Sequence, residues 1–158
     1  MGNKLEMDIT VPNQTHYLGL IGKIGENIAY TLKNFNNNRE ELAYHINLVL
    51  TEAMANAIKH ANNNDPDKEV HISINVTDNK LYIRVYDQGQ GFDISQKNEL
   101  QPDPLEGHGR GIFLIHALMD SVTYTSCENG NVLEMVRSLD SGARPQSEGE
   151  PETGADQE

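Results

Sequence analysis

The sequence predicts an α+β protein, a two-layer α/β sandwich in which a mixed, mostly antiparallel sheet carries helices on one face. Three observations lead there. Short runs at Lys4–Val11, Val70–Val76 and Leu81–Tyr86 alternate apolar with polar residues, the period of a strand with one buried face. Longer segments repeat apolar residues at helical spacing. Successive alternating runs are joined by short turn sequences such as Asp78-Asn79-Lys80, which pair neighbouring strands antiparallel.

The first strand buries Leu5, Met7, Ile9 and Val11, and Pro12 ends it. Thr15 is a candidate N-cap for a helix over Tyr17–Phe35, marked by Ile21, Ile24, Ile28, Leu32 and Phe35. Asn36, Asn37 and Asn38 turn the chain into a long helix over Arg39–Ala61, whose buried side continues through Leu42, Ile46, Val49 and Ala53. Asp65-Pro66 breaks it. A hairpin follows and runs straight into DQGQGFD, Asp87–Asp93. The polar stretch Ser95–Glu106 reads as a mobile loop. GHGRG, Gly107–Gly111, opens a third helix marked by Ile112, Ile115, Leu118, Met119 and Val122. A second hairpin, turning at Glu128-Asn129-Gly130-Asn131, closes the domain at residue 140. Residues 141–158 are acidic and nearly devoid of apolar side chains, the composition of a disordered tail.

The totals exclude several classes. Of 158 residues, 24 are acidic and 12 basic, a formal charge of −12 that repels phosphate backbones, so nucleic acid is not an expected partner. One cysteine, Cys127, cannot form an intramolecular disulfide, and no apolar run reaches membrane-spanning length. A cytoplasmic protein without membrane attachment is the expectation. No HExxH or Cys/His cluster suggests zinc, and His16, His45, His71 and His116 share no spacing.

Three stretches carry the chemistry. In TEAMANAIKHAN, Thr51–Asn62, residues four apart stack on one helical face, so Glu52, Asn56 and His60 form a polar stripe with Lys59 beside it. In Asp87-x-Gly89-x-Gly91 a carboxylate at a strand end can accept a hydrogen bond from a ligand amino group, while the glycines let the backbone approach a flat ring. In Gly107-x-Gly109-x-Gly111, glycines before a helix expose N–H groups at its positive end, which suits phosphate, and Arg110 adds a charge. Each is weak alone. A polar stripe is commonly just a solvated face, D-x-G-x-G marks many ordinary turns, and G-x-G-x-G commonly just lets a loop enter a helix. The sequence matches neither the P-loop nor the dinucleotide fingerprint.

The order of the three is specific, and it resembles the Bergerat-type ATP-binding fold shared by gyrase, histidine kinases and mismatch-repair ATPases. The resemblance covers about Lys4–Leu139. Within that superfamily the phrases TEAMANAIKHAN, DQGQGF and GRGIFLIHALMDSV are most similar to bacterial anti-sigma-factor serine/threonine kinases. The resemblance implies ATP and Mg²⁺ as cofactors. It implies Asn56 as the metal ligand, Asp87 at the adenine amino group, and Gly89 and Gly91 as the adenine-side wall. Gly107, Gly109, Arg110 and Gly111 would contact phosphate, with Lys59 and His60 close by, and Glu52 would be the catalytic base toward a serine hydroxyl. It further implies a homodimer, a STAS-class anti-anti-sigma protein as substrate and a sigma factor as sequestered partner. The alternatives are a nucleotide-dependent binding module without transfer and the ATP-binding half of a split histidine kinase. Two positions depart from the family pattern: His108, where relatives often carry a small residue, and Gly130-Asn131-Val132, where many carry a Thr that helps bind adenine.

Overall fold

The structure is a computed structural model, and residues 3–89, 108–127 and 129–140 are described. Five strands, β1 (Leu5–Pro12), β2 (Glu69–Thr77), β3 (Lys80–Asp87), β4 (Ser121–Cys127) and β5 (Gly130–Ser138), form one sheet in the order β1-β2-β3-β5-β4. All four pairings are antiparallel. No parallel pair occurs among the described residues, so the sheet is more uniform than the mixed one expected. Helices α1 (Leu18–Thr31), α2 (Arg39–Asn56) and α3 (His108–Leu118) supply the second layer.

The strand pattern places the core as expected. Ile72, Ile74, Val76, Leu81, Ile83, Val85, Leu133 and Met135 point toward the helices and are buried. They meet Ile21, Ile28, Leu42, Ile46, Leu50 and Met54 from α1 and α2, and Ile112 and Ile115 from α3. The β2–β3 turn is tight because Asp78 and Asn79 adopt φ of 51° and 58°, a primed two-residue turn whose twist matches the strands.

Element ends differ from the sequence reading for identifiable reasons. Pro12 lies within β1, at its end, paired with Glu69 on an edge strand where its missing N–H costs no ladder bond. Thr15 does not cap α1. It begins a 3₁₀ turn, Thr15–Tyr17, and Tyr17 occupies the cap position without a side-chain hydrogen bond. α1 stops at Thr31, before Phe35, because Leu32 turns extended and Asn34 takes φ 59°. Arg39 then donates from one guanidinium nitrogen to the carbonyls of Ala29 and Leu32, satisfying the helix end that no following turn reaches. Asn38 caps α2, accepting the Glu41 N–H. Val122 belongs to β4, opposite Met135, and not to the third helix. The expected mobile loop Ser95–Glu106 and the acidic tail, residues 141–158, lie outside the described residues.

The long helix does not run α-helical to Ala61. Beyond Asn56 it widens into a π-helical turn, Ala57–Ala61. The Asn62 N–H reaches back five residues to the Ala57 carbonyl. No helix among the described residues is long and apolar enough to cross a membrane.

Candidate functional site

α2 with its π turn is the spine of the site, and each glycine motif touches it at a different height. Near its middle, the backbone of Gly111 passes so close that a Cβ there would lie 2.6 Å from Glu52 Oε2 and 3.3 Å from Asn56 Nδ2. At its end, a Cβ on Gly89 would lie 1.4 Å from the Ala61 carbonyl oxygen. The last glycine of the third motif and the first of the second are therefore glycines because a helix backbone or its polar face occupies the space of a side chain.

Asn56 is buried, and among the described residues its Nδ2 has no hydrogen-bond partner. A buried carboxamide with an unsatisfied end is costly unless a ligand completes it. Rotation about its last torsion exchanges nitrogen for oxygen at that end, so the residue fits an oxygen ligand for a hard cation beside the Glu52 carboxylate. Among the described residues, no group of three or more His, Cys, Asp and Glu side chains forms a metal site of its own. A cation here would need oxygens from a bound phosphate to complete its shell.

Asp87 ends β3 on the helix-facing side and is buried. Its Oδ1 accepts from the Asn131 Nδ2 at 2.9 Å and the Gly89 N–H at 3.0 Å, and its Oδ2 accepts from the Tyr124 hydroxyl at 2.8 Å. Asn131 also donates to the Gly89 carbonyl. Asn131, in the stretch expected to depart from the family pattern, is thus a direct partner of the carboxylate. The segment after Asp87 is pinned from below by Asn62. This fully buried side chain accepts the Gln88 N–H at 2.8 Å and donates to Asn13 Oδ1 at 2.9 Å. Sequence reasoning singled out neither Tyr124 nor Asn62. Tyr124 could have been found from strand parity, because Val122, Tyr124 and Ser126 share the face of β4 that looks toward Asp87.

The π turn changes the expected stripe. Lys59 is exposed and His60 half-buried, and both lie beyond the regular α-helix, so the four-residue stacking that aligned His60 with Asn56 does not extend to it. Gly91 and Gly107 lie outside the described residues. Gly109 and Arg110 lie in the first turn of α3. Of the other histidines, His45 meets Arg137 at 2.9 Å, and His71 bridges Thr10 and Asp8 on the outer face of the sheet. His116 has a buried Nε2 with no partner among the described residues, and burial holds its pKa below the usual imidazole value.

Residues 26–137 match the family described as histidine kinase-like ATPase domain. The serine-protein kinase RsbW of Bacillus subtilis is 32% identical over 141 residues, spanning 84% of this chain and 85% of that protein. The serine-protein kinase RsbW of Bacillus velezensis is 28% identical over the same shares. The histidine kinase domain of a blue-light activated histidine kinase from Erythrobacter litoralis superposes with a TM-score of 0.52 at 20% identity, covering 82% of this chain and 62% of that one, a likeness of fold. With the motif order, the helix-and-sheet frame and these relatives in agreement, the chain belongs to the histidine kinase-like ATPase domain family, and within it is a relative of the RsbW serine-protein kinases.

Proposed function

We propose that the protein is a Mg-ATP-dependent protein serine kinase that also acts as an anti-sigma regulatory factor. Its substrate is a small STAS-class anti-anti-sigma protein, its sequestered partner a sigma factor, and its working form a homodimer in the cytoplasm. The observation that carries the reading is the convergence of Glu52, Asn56 and the Gly111 backbone at one point of α2, with relatives of this name matching over most of the chain.

In this reading Asp87 accepts the N–H of the adenine amino group, and Gly89 and Gly91 wall the base. Asn56 would hold Mg²⁺, which supplies charge neutralisation at the phosphates. The Gly107–Gly111 segment, with Arg110, covers the phosphates, and Lys59 and His60 are the further phosphate-contacting groups of this reading. Glu52 orients the partner's serine hydroxyl and accepts its proton as the oxygen bonds to the γ-phosphorus and the bond from that phosphorus to the β,γ-bridging oxygen breaks, with ADP as the leaving group. Phosphoryl transfer depends mainly on positioning and charge stabilisation, so these few groups suffice. Glu52 makes no ion pair among the described residues, as a base kept available for a substrate requires. A module that binds nucleotide without transfer needs no such carboxylate.

The test is transfer of the γ-phosphate from labelled ATP to a STAS-class protein, followed by acid treatment of the product. Acid-stable label on serine supports the reading, acid-labile label identifies a histidine kinase, and no label with intact nucleotide binding identifies a binding module. Asn56→Ala adds a check on the metal. It removes the oxygen ligand and substitutes a better helix former. Nucleotide affinity in this variant is expected to become the same with and without Mg²⁺, at an unchanged melting temperature. A titration that keeps the wild-type difference would move the metal elsewhere.

A further inference from the structure

Where β3 leaves the sheet, the next rung of its pairing with β2 is not formed. Thr77↔Lys80 closes the two-residue turn between these strands, so it is a pair that exchanges both backbone hydrogen bonds, and so is every second pair beyond it. The series runs through Asn75↔Tyr82, Ser73↔Arg84 and His71↔Tyr86, and its next member would set Glu69 opposite Gln88. There the bonds are diverted. The Gln88 N–H donates to Asn62 Oδ1 at 2.8 Å, and Asn62 Nδ2 donates to the Glu69 carbonyl at 3.4 Å. The Glu69 N–H donates to the side-chain Oε1 of Gln88 at 2.8 Å. The Asn62 carboxamide is thus inserted between the two backbones, accepting from one and donating to the other. Its second amide proton goes to Asn13 Oδ1 at 2.9 Å, and Asn13 in turn donates to the Asp65 carbonyl. Asn62 is fully buried and Asn13 nearly so, and the Asn62 backbone N–H closes the π turn.

We propose that Asn62 is a positioning residue for nucleotide binding, which splits the last rung between β2 and β3 and so turns the chain after Asp87 off the sheet and onto the π turn. The role rests on the Mg-ATP reading above. Gln88 lies between Asp87 and Gly89, so its path sets where the Gly89 backbone meets the Ala61 carbonyl and where the Gly89 N–H meets Asp87 Oδ1. Without the Asn62 oxygen, the Gln88 N–H has its in-register partner within reach, the Glu69 carbonyl. Taking it adds a rung to the sheet and draws Gly89 away from α2, out of the wall proposed for the base. Asn62 itself is sealed from the nucleotide and acts only through Gln88 and Gly89.

Calorimetric titration of the full chain with ADP and Mg²⁺, beside melting curves and at a temperature where each variant is folded, tests this. Asn62→Ala is expected to bind ADP about tenfold more weakly, the scale of one buried hydrogen-bonding group. Asn62→Asp keeps an acceptor for the Gln88 N–H but buries a charge. It should melt below wild type and still bind ADP more tightly than Asn62→Ala, so affinity does not follow stability. A merely structural role would lower the melting temperatures and leave the affinity of the folded proteins unmoved. Asn62→Ala binding within about twofold of wild type, below the scale of a lost hydrogen bond, overturns the role, as does Asn62→Asp binding no better than Asn62→Ala. Should Asn62→Ala fail to fold, Asn13→Ala decides. It leaves Asn62 in place with one partner fewer, so weaker ADP binding by a folded protein supports the role and unchanged binding overturns it. Wild type that does not bind ADP overturns the Mg-ATP reading itself, and this role with it.

Discussion

Glu52→Gln is expected to keep ATP affinity and partner binding while phosphate transfer to the partner serine falls by about 10² to 10⁴, the usual worth of general-base assistance. The substitution preserves size and helical propensity and removes only the capacity to accept a proton. Stability should not move, because Glu52 is half-exposed and has no ion pair among the described residues for the neutral amide to break. The alternative role for this carboxylate, a pairing with Lys59, predicts the reverse: a lowered melting temperature with turnover intact. Single-turnover transfer from labelled ATP, measured beside ATP affinity and the melting curve, separates the two. Transfer within a few-fold of wild type at unchanged affinity would remove Glu52 from the chemistry.

The frame of this site was legible in the sequence where a periodic signal or a steric demand was local. The alternation in Val70–Val76 and Leu81–Tyr86 gave both strands and the face they bury, because a one-residue slip would have turned Ile72, Ile74 and Ile83 out of the core. The buried side of α2 followed from Leu42, Ile46 and Val49 in the same way. Two features were not legible because they depend on distant partners. The π turn at Ala57–Ala61 arises in a stretch whose residues favour a regular helix. What accompanies the change is tertiary: Asn62 is engaged with Gln88 and Asn13, and the Ala61 carbonyl sits against Gly89. The surroundings of Asp87 likewise join β3, β4 and β5, so Tyr124, 37 residues away in sequence, carries no local mark of its role. The family departure at Asn131 was visible as a residue type. Its meaning, a donor to Asp87, required the strand register that sets Asp87 opposite it.

Gly89→Ala is expected to damage both stability and nucleotide binding. A Cβ at this position would stand 1.4 Å from the Ala61 oxygen, 2.1 Å from its carbonyl carbon and 2.9 Å from the Asn62 nitrogen, all of them backbone atoms. No rotamer change relieves such a contact. Either the π turn moves outward or the segment after Asp87 is pushed away. The second path stretches the Gly89 N–H bond to Asp87 Oδ1 and the Asn131 bond to the Gly89 carbonyl, and so releases the carboxylate proposed to read the base. Overpacking against a fixed core typically costs about 1–3 kcal/mol, and contact with the Ala61–Asn62 peptide, which is backbone, belongs at the upper end. For a chain of this size that lowers the melting temperature by roughly 2–4 °C per kcal/mol. Gly19→Ala is the matched control. It lies in α1 with nothing within 4 Å of its would-be Cβ, so the same added methyl should stabilise the protein by about 0.5–1 kcal/mol through helix propensity alone. Melting curves and ADP titrations of the two variants should therefore diverge in sign. A Gly89→Ala protein that melts and binds like wild type would mean that the close approach of Gly89 to the π turn does not shape the site.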